Sequence, residues 1–335
     1  NMLTKWGKTL NPDNLLAEYP RPQMVRESYL NLNGTWDYAI TDSDQFPAAF
    51  DGQILVPFSP EAELSGVGKT LLPRQFLWYR RSIALPEGFF KGRLLLHFGA
   101  VDQMATVFLN GEPVGNHVGG YYPFTLDITR MWKTDAVNEL SVCVRDTTDT
   151  SWHTRGKQKT TRGGIWYSPQ SGIWQTVWLE SVPERYIQNL RITPDFDAGM
   201  VVFEIAANES QRCSVECDGR IVNGKANQPI SLMMPNFEPW TPEKPRLYPV
   251  TVRMGEDAVT SYFGMRKFSV SSDHAGIPRF YLNNQPIFQS GLLDQGYWSD
   301  GMLTAPSDDA LIADIQMAKD MGFNMLRKHI KIEPL

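Results

Sequence analysis

The residues with the clearest potential for ligand chemistry lie in an aromatic-rich segment, GGIWYSPQSGIWQTVWLE, at residues 163–180. Its first half contains two glycines and a Ser-Pro-Gln-Ser-Gly turn, which predicts a loop that presents Trp166 and Tyr167. Aromatic rings on such a loop can stack on sugar rings, and they can equally be buried in a domain interface. In the second half, successive side chains would point to opposite faces of a strand, and both faces carry bulky residues. This pattern predicts a strand that lies between two layers.

Other reactive residue types show no spacing that is typical of a metal or cofactor site. The five histidines are scattered along the chain and form no pair one helical turn apart, so neither a metal nor another cofactor is predicted. Cys213 and Cys217 lie four residues apart in a strand-like run, too far apart to form a disulfide. Reduced thiols, and a start without the apolar core of a signal peptide, favour a cytoplasmic location. The basic residues at 155–162 are interpreted as a solvated loop.

Composition excludes two classes of partner. The 335 residues carry a formal net charge of -5, without the clustered Lys and Arg that bind phosphates, so nucleic acid is excluded. A membrane span is also excluded, because no apolar stretch approaches the roughly 20 residues that it requires. The 26 Gly, 23 Pro and 10 Trp favour a turn-rich β protein.

Two β units and a different third segment are predicted along the chain. In the first unit, Asn110-Gly111 predicts a hairpin, and further strands at 35–40, 76–85, 92–101, 124–128 and 138–145 lead to a sandwich of eight or more strands. The second unit, residues 184–272, has about seven short strands with a hairpin turn at Asp218-Gly219, the size of an immunoglobulin-like sandwich.

After Asp273 the pattern changes from strands alone to strand and helix. A hairpin is predicted with its turn at Asn283-Asn284, followed by a helix with Ser307 as N-cap and Gly322 as the residue that ends it. The following run, FNMLRKHI, predicts a strand. A helix followed by a strand begins an α/β pattern, and we expect the parallel partners of this strand to lie beyond the end of the chain.

Several long motifs resemble glycoside hydrolase family 2, the family of bacterial β-galactosidases, β-glucuronidases and β-mannosidases. WYRRSIALP, LLLHFGAVDQMATVFLNGEPVGNHVGGYYPF and SGIWQTVWLE are similar to its sugar-binding domain. The similarity continues in order through WTPEKPRLYPVTVR, SYFGMRKFSV, LNNQPIFQSG and DIQMAKDMGFNMLRKH. The resemblance implies a mainly β chain with a jelly-roll β-sandwich at 1–183, an immunoglobulin-like β-sandwich at 184–272 and, at 273–335, the truncated first portion of a (β/α)8 barrel.

The resemblance also implies a function. The chain is expected to be the amino-terminal, non-catalytic part of a retaining, β-galactosidase-like enzyme that hydrolyses O-glycosidic bonds of carbohydrates. Both catalytic glutamates are expected beyond residue 335, so no residue of this chain is predicted to be catalytic and the chain alone is expected to be inactive. Glu333 is interpreted as a solvated loop charge. The alternative is a free-standing carbohydrate-binding or adhesive module, and homo-oligomerisation is left open.

Five residues are candidates for substrate binding because of the resemblance. Arg327, at a strand end, matches an arginine that helps to keep the nucleophile ionised. His329 matches less well, because many members have Arg-x-Ser-His, and it is equally interpreted as capping a strand edge. Asp294 and Trp298 either bind a sugar or pack the barrel floor. The segment that contains Asp294 departs from the family, because members commonly have Gly-Val-Asn-Arg-His where this chain has Gly-Leu-Leu-Asp-Gln at 291–295. Asp149 is the nearest equivalent of an Asp that reaches the sugar from the sandwich, or else caps its own loop.

Overall fold

The structure, a computed structural model, describes residues 2–335. Short 3-10 turns occupy Gly7–Thr9, Pro12–Asn14, Glu63–Ser65 and Thr129–Met131. The first sandwich contains strands β1 (Tyr29–Asn31), β2 (Gly34–Thr41), β3 (Gly52–Val56), β4 (Phe76–Ile83), β5 (Arg93–Phe98), β6 (Val101–Asp102), β7 (Met104–Leu109), β8 (Glu112–Val118), β9 (Phe124–Asp127), β10 (Asn138–Arg145), β11 (Gly172–Ile173) and β12 (Val177–Val182).

Two antiparallel sheets enclose the first core. One has the order β1-β12-β5-β9, the other has the order β3-β2-β4-β10-β7-β8, and β11 pairs with β6 beside them. Buried side chains from both sheets, such as Trp36, Leu77, Leu96 and Val142, form one hydrophobic cluster. The predicted hairpin at Asn110-Gly111 is confirmed, since it joins β7 to β8 with both residues at positive φ.

The predicted strand after the aromatic loop is confirmed in part. All side chains of β12 are buried, because its inner face packs on the sandwich core and its outer face is covered by the amino-terminal segment, where the ring of Tyr19 lies 5.2 Å from that of Trp178. Residues 174–176 belong to no strand. The interruption occurs because the chain leaves β6, the partner of β11, and joins β5, the partner of β12.

The second sandwich contains β13 (Ile187–Asp195), β14 (Met200–Ala207), β15 (Arg212–Cys217), β16 (Arg220–Lys225), β17 (Pro229–Met233), β18 (Tyr248–Met254) and β19 (Asp257–Phe263). Its sheets have the orders β13-β14-β17 and β16-β15-β18-β19. Alternate side chains of β19 are buried, as expected of a sheet with one face on a core. The turn predicted at Asp218-Gly219 joins β15 to β16, and the cysteines of the described chain are free and buried.

The amino-terminal segment connects the two sandwiches. Val25 forms a β-bridge with Thr260 of β19, and the side chain of Met24 belongs to the core of the second sandwich. A few residues later the same segment enters β1, which pairs with β12 of the first sandwich. The segment at 24–31 therefore contributes to both units.

After β19, β20 (Phe268–Ser272) lies before the predicted boundary at 272 but pairs with β21 (Pro278–Leu282) beyond it. The third segment continues with β22 (Gln285–Pro286), β23 (Gly291–Asp294), helix α1 (Asp308–Asp320) and β24 (Met325–Lys328). The predicted helix is confirmed, with the Ser307 hydroxyl accepting from the Ala310 N–H and Gly322 at φ 88° after its end. The expectation about parallel partners is wrong in one respect: β24 pairs in parallel with β23 of the same chain. Within residues 2–335, no helix has the length and apolarity needed to cross a membrane.

Candidate functional site

The carboxyl ends of β23 and β24 bring two distant segments side by side. The parallel register aligns Asp294 with Lys328, and the backbone N–H of His329 donates to the Asp294 carbonyl at 2.8 Å. Parallel neighbours require a crossover, and α1 provides it. Polar side chains from both strands therefore gather at one edge of the pair.

Lys328 is the centre of the charged groups at this edge. Its ammonium donates to Asp294 Oδ2 at 2.5 Å and to Glu333 Oε1. Partial burial opposes the charged form, but the hydrogen bonds to the two carboxylates raise the pKa of Lys328 above its ordinary value. The interpretation of Glu333 as a solvated loop charge is wrong, because its side chain is only 26% exposed and is paired with Lys328.

Lys331 joins the same group from its buried side. Its ammonium lies 3.2 Å from Glu333 Oε1 and donates to the carbonyl oxygens of Gly296 and Leu303 at 2.9 and 2.8 Å. Burial lowers the pKa of Lys331 in spite of the neighbouring Glu333 carboxylate. We refer to Asp294, Lys328, Lys331 and Glu333 as the Lys328 cluster.

A loop of the first sandwich covers the neighbouring residues of β23. The Tyr167 hydroxyl and the Lys157 ammonium donate to Gln295 Oε1 at 3.1 and 3.2 Å. The rings of Tyr167 and Tyr297 stack with centroids 4.1 Å apart. Of the two interpretations of the aromatic loop, Tyr167 therefore fits the interface, whereas the neighbouring Trp166 ring lies 5.5 Å from the Lys159 ammonium.

Arg327 and His329, the two candidates at the end of β24, do not take part in the ion pairs of Lys328. Arg327 is exposed, because alternation along β24 directs it to the face opposite Lys328. His329 is half-buried, and its backbone, not its ring, makes the contact with Asp294. Their predicted roles toward a nucleophile and a sugar stay predictions.

The remaining candidates differ in position. Trp298 follows Tyr297, its ring packs edge-on against Trp6 at 6.1 Å, and its buried indole N–H has no hydrogen-bond partner in the part of the chain that the structure describes. Asp149 lies in a surface loop, where its carboxylate accepts from the Thr160 N–H and hydroxyl at 3.2 and 2.6 Å. This is the loop-capping geometry that was the alternative for Asp149, and its role toward a sugar stays a prediction.

Sequence reasoning missed the contacts that build the edge. Glu333, Gln295, Lys157 and Tyr167 come from three separate segments, and no periodic pattern relates them. The pairing of β23 with β24 sets Asp294 opposite Lys328, but the sequence pattern predicts the parallel partners of β24 beyond the end of the chain.

The edge offers groups that suit a sugar better than a metal ion. Carboxylates and amides can accept from sugar hydroxyls, and the ring of Trp298 supplies an apolar face, whereas one face of the Tyr297 ring is covered by Tyr167. Across residues 2–335, no group of three or more His, Cys, Asp and Glu side chains is arranged to hold a metal ion.

Comparison with known proteins assigns both sandwiches to known domain families. Residues 64–174 match a family model described as glycosyl hydrolase 2 galactose-binding domain-like, and residues 185–266 match one described as glycosyl hydrolases family 2. A putative β-glucuronidase of Formosa agariphila is 25% identical over 272 residues, which are 75% of this chain and 31% of that protein. A β-galactosidase of Thermoanaerobacter pseudethanolicus is 26% identical over 290 residues, 78% of this chain and 38% of that protein.

Solved structures agree on the fold. A β-glucuronidase of Faecalibacterium prausnitzii superposes with a TM-score of 0.72 at 22% identity, covering 90% of this chain and 55% of that one. The chain thus spans about a third to just over half of the length of these relatives. The two family models together match more than half of the chain, in the order in which the two sandwiches occur. The chain therefore belongs to glycoside hydrolase family 2.

Proposed function

We propose that this chain is the amino-terminal part of a retaining glycoside hydrolase, and that the carboxyl edge of β23 and β24 is the first part of its active site. The observation that carries the proposal is the β23-α1-β24 unit, whose carboxyl edge is covered by a loop of the sandwich that matches the galactose-binding-like model. In (β/α)8 barrels the catalytic groups lie at this edge of the strands. Residues 273–335 would then begin the catalytic barrel, after domains at 1–183 and 184–272.

An uncovered face of the helix supports the barrel assignment. Ala310 and Ala318 of α1 are buried, but Ile315 is 56% exposed and Ile312 is 59% exposed. A helix with apolar residues left in solvent normally packs against another element. In the proposed enzyme, a later helix of the barrel would cover this face.

The carboxylates at the edge have a binding role in the proposal and no catalytic one. A retaining enzyme needs two carboxyl groups about 5 Å apart, one of which must donate a proton to the leaving group. Asp294 and Glu333 both accept from the same Lys328 ammonium, so neither is free to act as that donor. We assign the acid and the nucleophile to glutamates of the parent enzyme that this chain does not supply.

The five substrate-binding candidates take separate roles in the proposed site. Asp294 accepts from a sugar hydroxyl, Trp298 offers a ring face, and Arg327, from the other face of β24, keeps the nucleophile ionised. His329 and Asp149 contribute polar contacts from β24 and from the sandwich loop. The free thiols of the described residues agree with a cytoplasmic parent.

The reading frame after codon 335 and an activity assay test the proposal together. We expect the frame to continue and to encode an Asn-Glu pair at a strand end. The longer product should release nitrophenol from a 4-nitrophenyl β-galactoside or β-glucuronide with retention of configuration, and the 335-residue chain should release none. A stop codon directly after Leu335, together with binding of free sugar by this chain, would favour the carbohydrate-binding module. Turnover by this chain alone would show that the catalytic residues are assigned wrongly.

A further inference from the structure

Ser171 joins two buried carboxyl groups of the first sandwich. Its hydroxyl oxygen lies 3.0 Å from Glu61 Oε1 and 3.0 Å from Asp146 Oδ2. A serine hydroxyl carries one hydrogen and can donate only one of these two bonds. The other contact is a hydrogen bond only if the carboxyl group itself donates to the Ser171 oxygen. Both contacts can be two-centre hydrogen bonds if the Glu61 and Asp146 pair carries one proton.

The remaining hydrogen bonds show which partner can carry that proton. Glu61 Oε1 accepts from the Leu71 N–H and Oε2 accepts from the Ser171 N–H, each at 3.0 Å. Asp146 Oδ1 accepts from the Thr148 N–H at 2.7 Å. The other contact of Asp146 Oδ2 within the described chain is the Thr148 hydroxyl at 3.5 Å, so this oxygen has room for a proton directed at Ser171.

The charges around the pair favour retention of the proton. Among the described residues, no lysine or arginine forms an ion pair with Glu61, Asp146 or the adjacent Asp102. Burial raises the pKa of Glu61 to about 7, and burial also raises the pKa values of Asp146 and Asp102. The other titratable neighbours are the Tyr79 hydroxyl on β4 and His153, whose charge acts on Asp146.

Buried carboxyl groups hold both ends of the loop that covers the candidate site: the Glu61 and Asp146 pair contacts Ser171, and Asp102 contacts Gln158. Gln158 accepts from the Gln170 N–H at 2.6 Å and donates to Asp102 Oδ2 at 3.2 Å. Gln170 in turn accepts from the Leu303 N–H at 2.7 Å. Residues 158–171 are therefore held at the buried carboxyl groups, while Tyr167 in the middle contacts Gln295.

We propose that Glu61 and Asp146 hold one proton through Ser171, and that this proton positions residues 158–171 over the edge of β23 and β24. Loss of the proton to solvent leaves one hydrogen between two facing carboxylates, which weakens the anchor. The loop is thus a pH-sensitive cover for the edge. This inference does not depend on the proposed reaction, because its tests measure the hydrogen exchange of the loop and the protonation of the carboxyl groups.

The sign of the pH effect follows from the raised pKa values. The folded protein binds the proton more tightly than the unfolded chain does, so the contribution of the pair to stability is complete at low pH. It is lost as the pH rises above the ordinary pKa values of the two carboxyl groups, 4.5 for Glu61 and 3.8 for Asp146, toward the raised pKa values of the pair in the folded protein. Above that range, the loop should open more often.

Hydrogen exchange of the 335-residue chain tests the proposal. Protection factors, which already correct for the intrinsic exchange rate, are measured for peptides of 158–171 and for β18 as an internal reference. We expect protection of 158–171 to fall by up to about tenfold per pH unit between about pH 5 and pH 7. Protection of β18 should stay constant. In the infrared spectrum, the carbonyl stretch of protonated carboxyl groups should lose intensity over the same range, and this loss should be absent from Asp146→Asn.

Asp146→Asn is the discriminating variant, because its amide N–H replaces the shared proton permanently and its oxygen can still accept from Thr148. We expect it to keep the low-pH protection at every pH, whereas the matched variant Asp149→Asn, in the adjacent surface loop, should titrate like the wild type. Equal pH dependence in wild type and Asp146→Asn would overturn the proposal. If Asp146→Asn does not fold, the wild-type infrared band decides: its absence at about pH 5 would overturn the proposal.

Discussion

Two charge clusters of the chain differ in how completely their members are paired. Glu180 on β12 is fully buried, and its oxygens accept from the guanidinium groups of Arg21 and Arg26. Lys328 is 28% exposed, and Glu333 Oε2 beside it is buried without a hydrogen-bond partner among residues 2–335. A buried cluster whose bonds are all made internally has nothing to offer a ligand, whereas the partly exposed Lys328 and Glu333 can exchange contacts with one. The Glu180 cluster is therefore structural, and the difference supports the binding role that we propose for the edge with the Lys328 cluster.

The Glu180 cluster also joins the two sandwiches. Arg26 donates to both oxygens of Asp257 on β19 at 2.8 Å and to Glu180 on β12 at 2.7 Å. Burial alone would raise the pKa of Glu180, but the hydrogen bond from His97 and the charges of the arginines hold it well below its ordinary value. The His97 ring is buried, which lowers its pKa, and a neutral ring can donate from Nε2 to Glu180 while Nδ1 accepts from Thr125.

The largest effect is expected from Arg26→Met. This change leaves Glu180 and Asp257 buried without their shared partner, which typically costs about 3–5 kcal/mol. Chemical denaturation measures the loss in the free energy of unfolding. The matched control is Arg191→Met, which breaks an exposed pair with Glu204 and should cost less than about 1 kcal/mol. Equal losses in the two variants would remove the distinction between buried and exposed pairs.

The second prediction concerns the pH dependence of stability that is due to the Glu180 carboxylate. Its lowered pKa means that the folded state releases the proton more readily than the unfolded chain does, so its contribution is present at neutral pH. The stability difference between wild type and Glu180→Gln should therefore shrink as the pH falls below the ordinary value of 4.5, by up to about 1.4 kcal/mol per pH unit. A difference that stays constant down to about pH 3 would contradict the assigned role of the carboxylate.

The smallest effect on stability is expected from Lys328→Met. Removal of the ammonium leaves Asp294 and Glu333 facing each other, but solvent reaches this edge and screens their repulsion. We expect a loss of about 1 kcal/mol at low salt and less at high salt, measured by thermal unfolding at the two ionic strengths. A salt-independent loss as large as that of Arg26→Met would mean that the Lys328 cluster is structural after all.

Local signals in the sequence predicted the elements better than their contacts. The turns at Asn110-Gly111 and Asp218-Gly219, and the Ser307 cap, depend on neighbouring residues alone, and the structure has all three. The family motifs likewise identified both sandwiches. The pairing of Lys328 with Glu333 depends on how the chain turns after β24, and that of Tyr167 with Gln295 depends on how two units dock. Neither contact produces a periodic pattern in the sequence. The strand ends that form the edge could therefore be predicted, but the contacts between their side chains could not.

The most direct test of the central claim compares Asp294→Asn with Arg26→Met in the proposed parent glycosidase. If the edge of β23 and β24 binds the sugar, loss of the Asp294 charge should lower kcat/KM by about tenfold or more, since a hydrogen bond to a charged group contributes about 1.5–3 kcal/mol. Arg26→Met should lower stability and leave kcat/KM of the folded enzyme unchanged. An unchanged kcat/KM in Asp294→Asn would contradict the claim that this edge belongs to the active site.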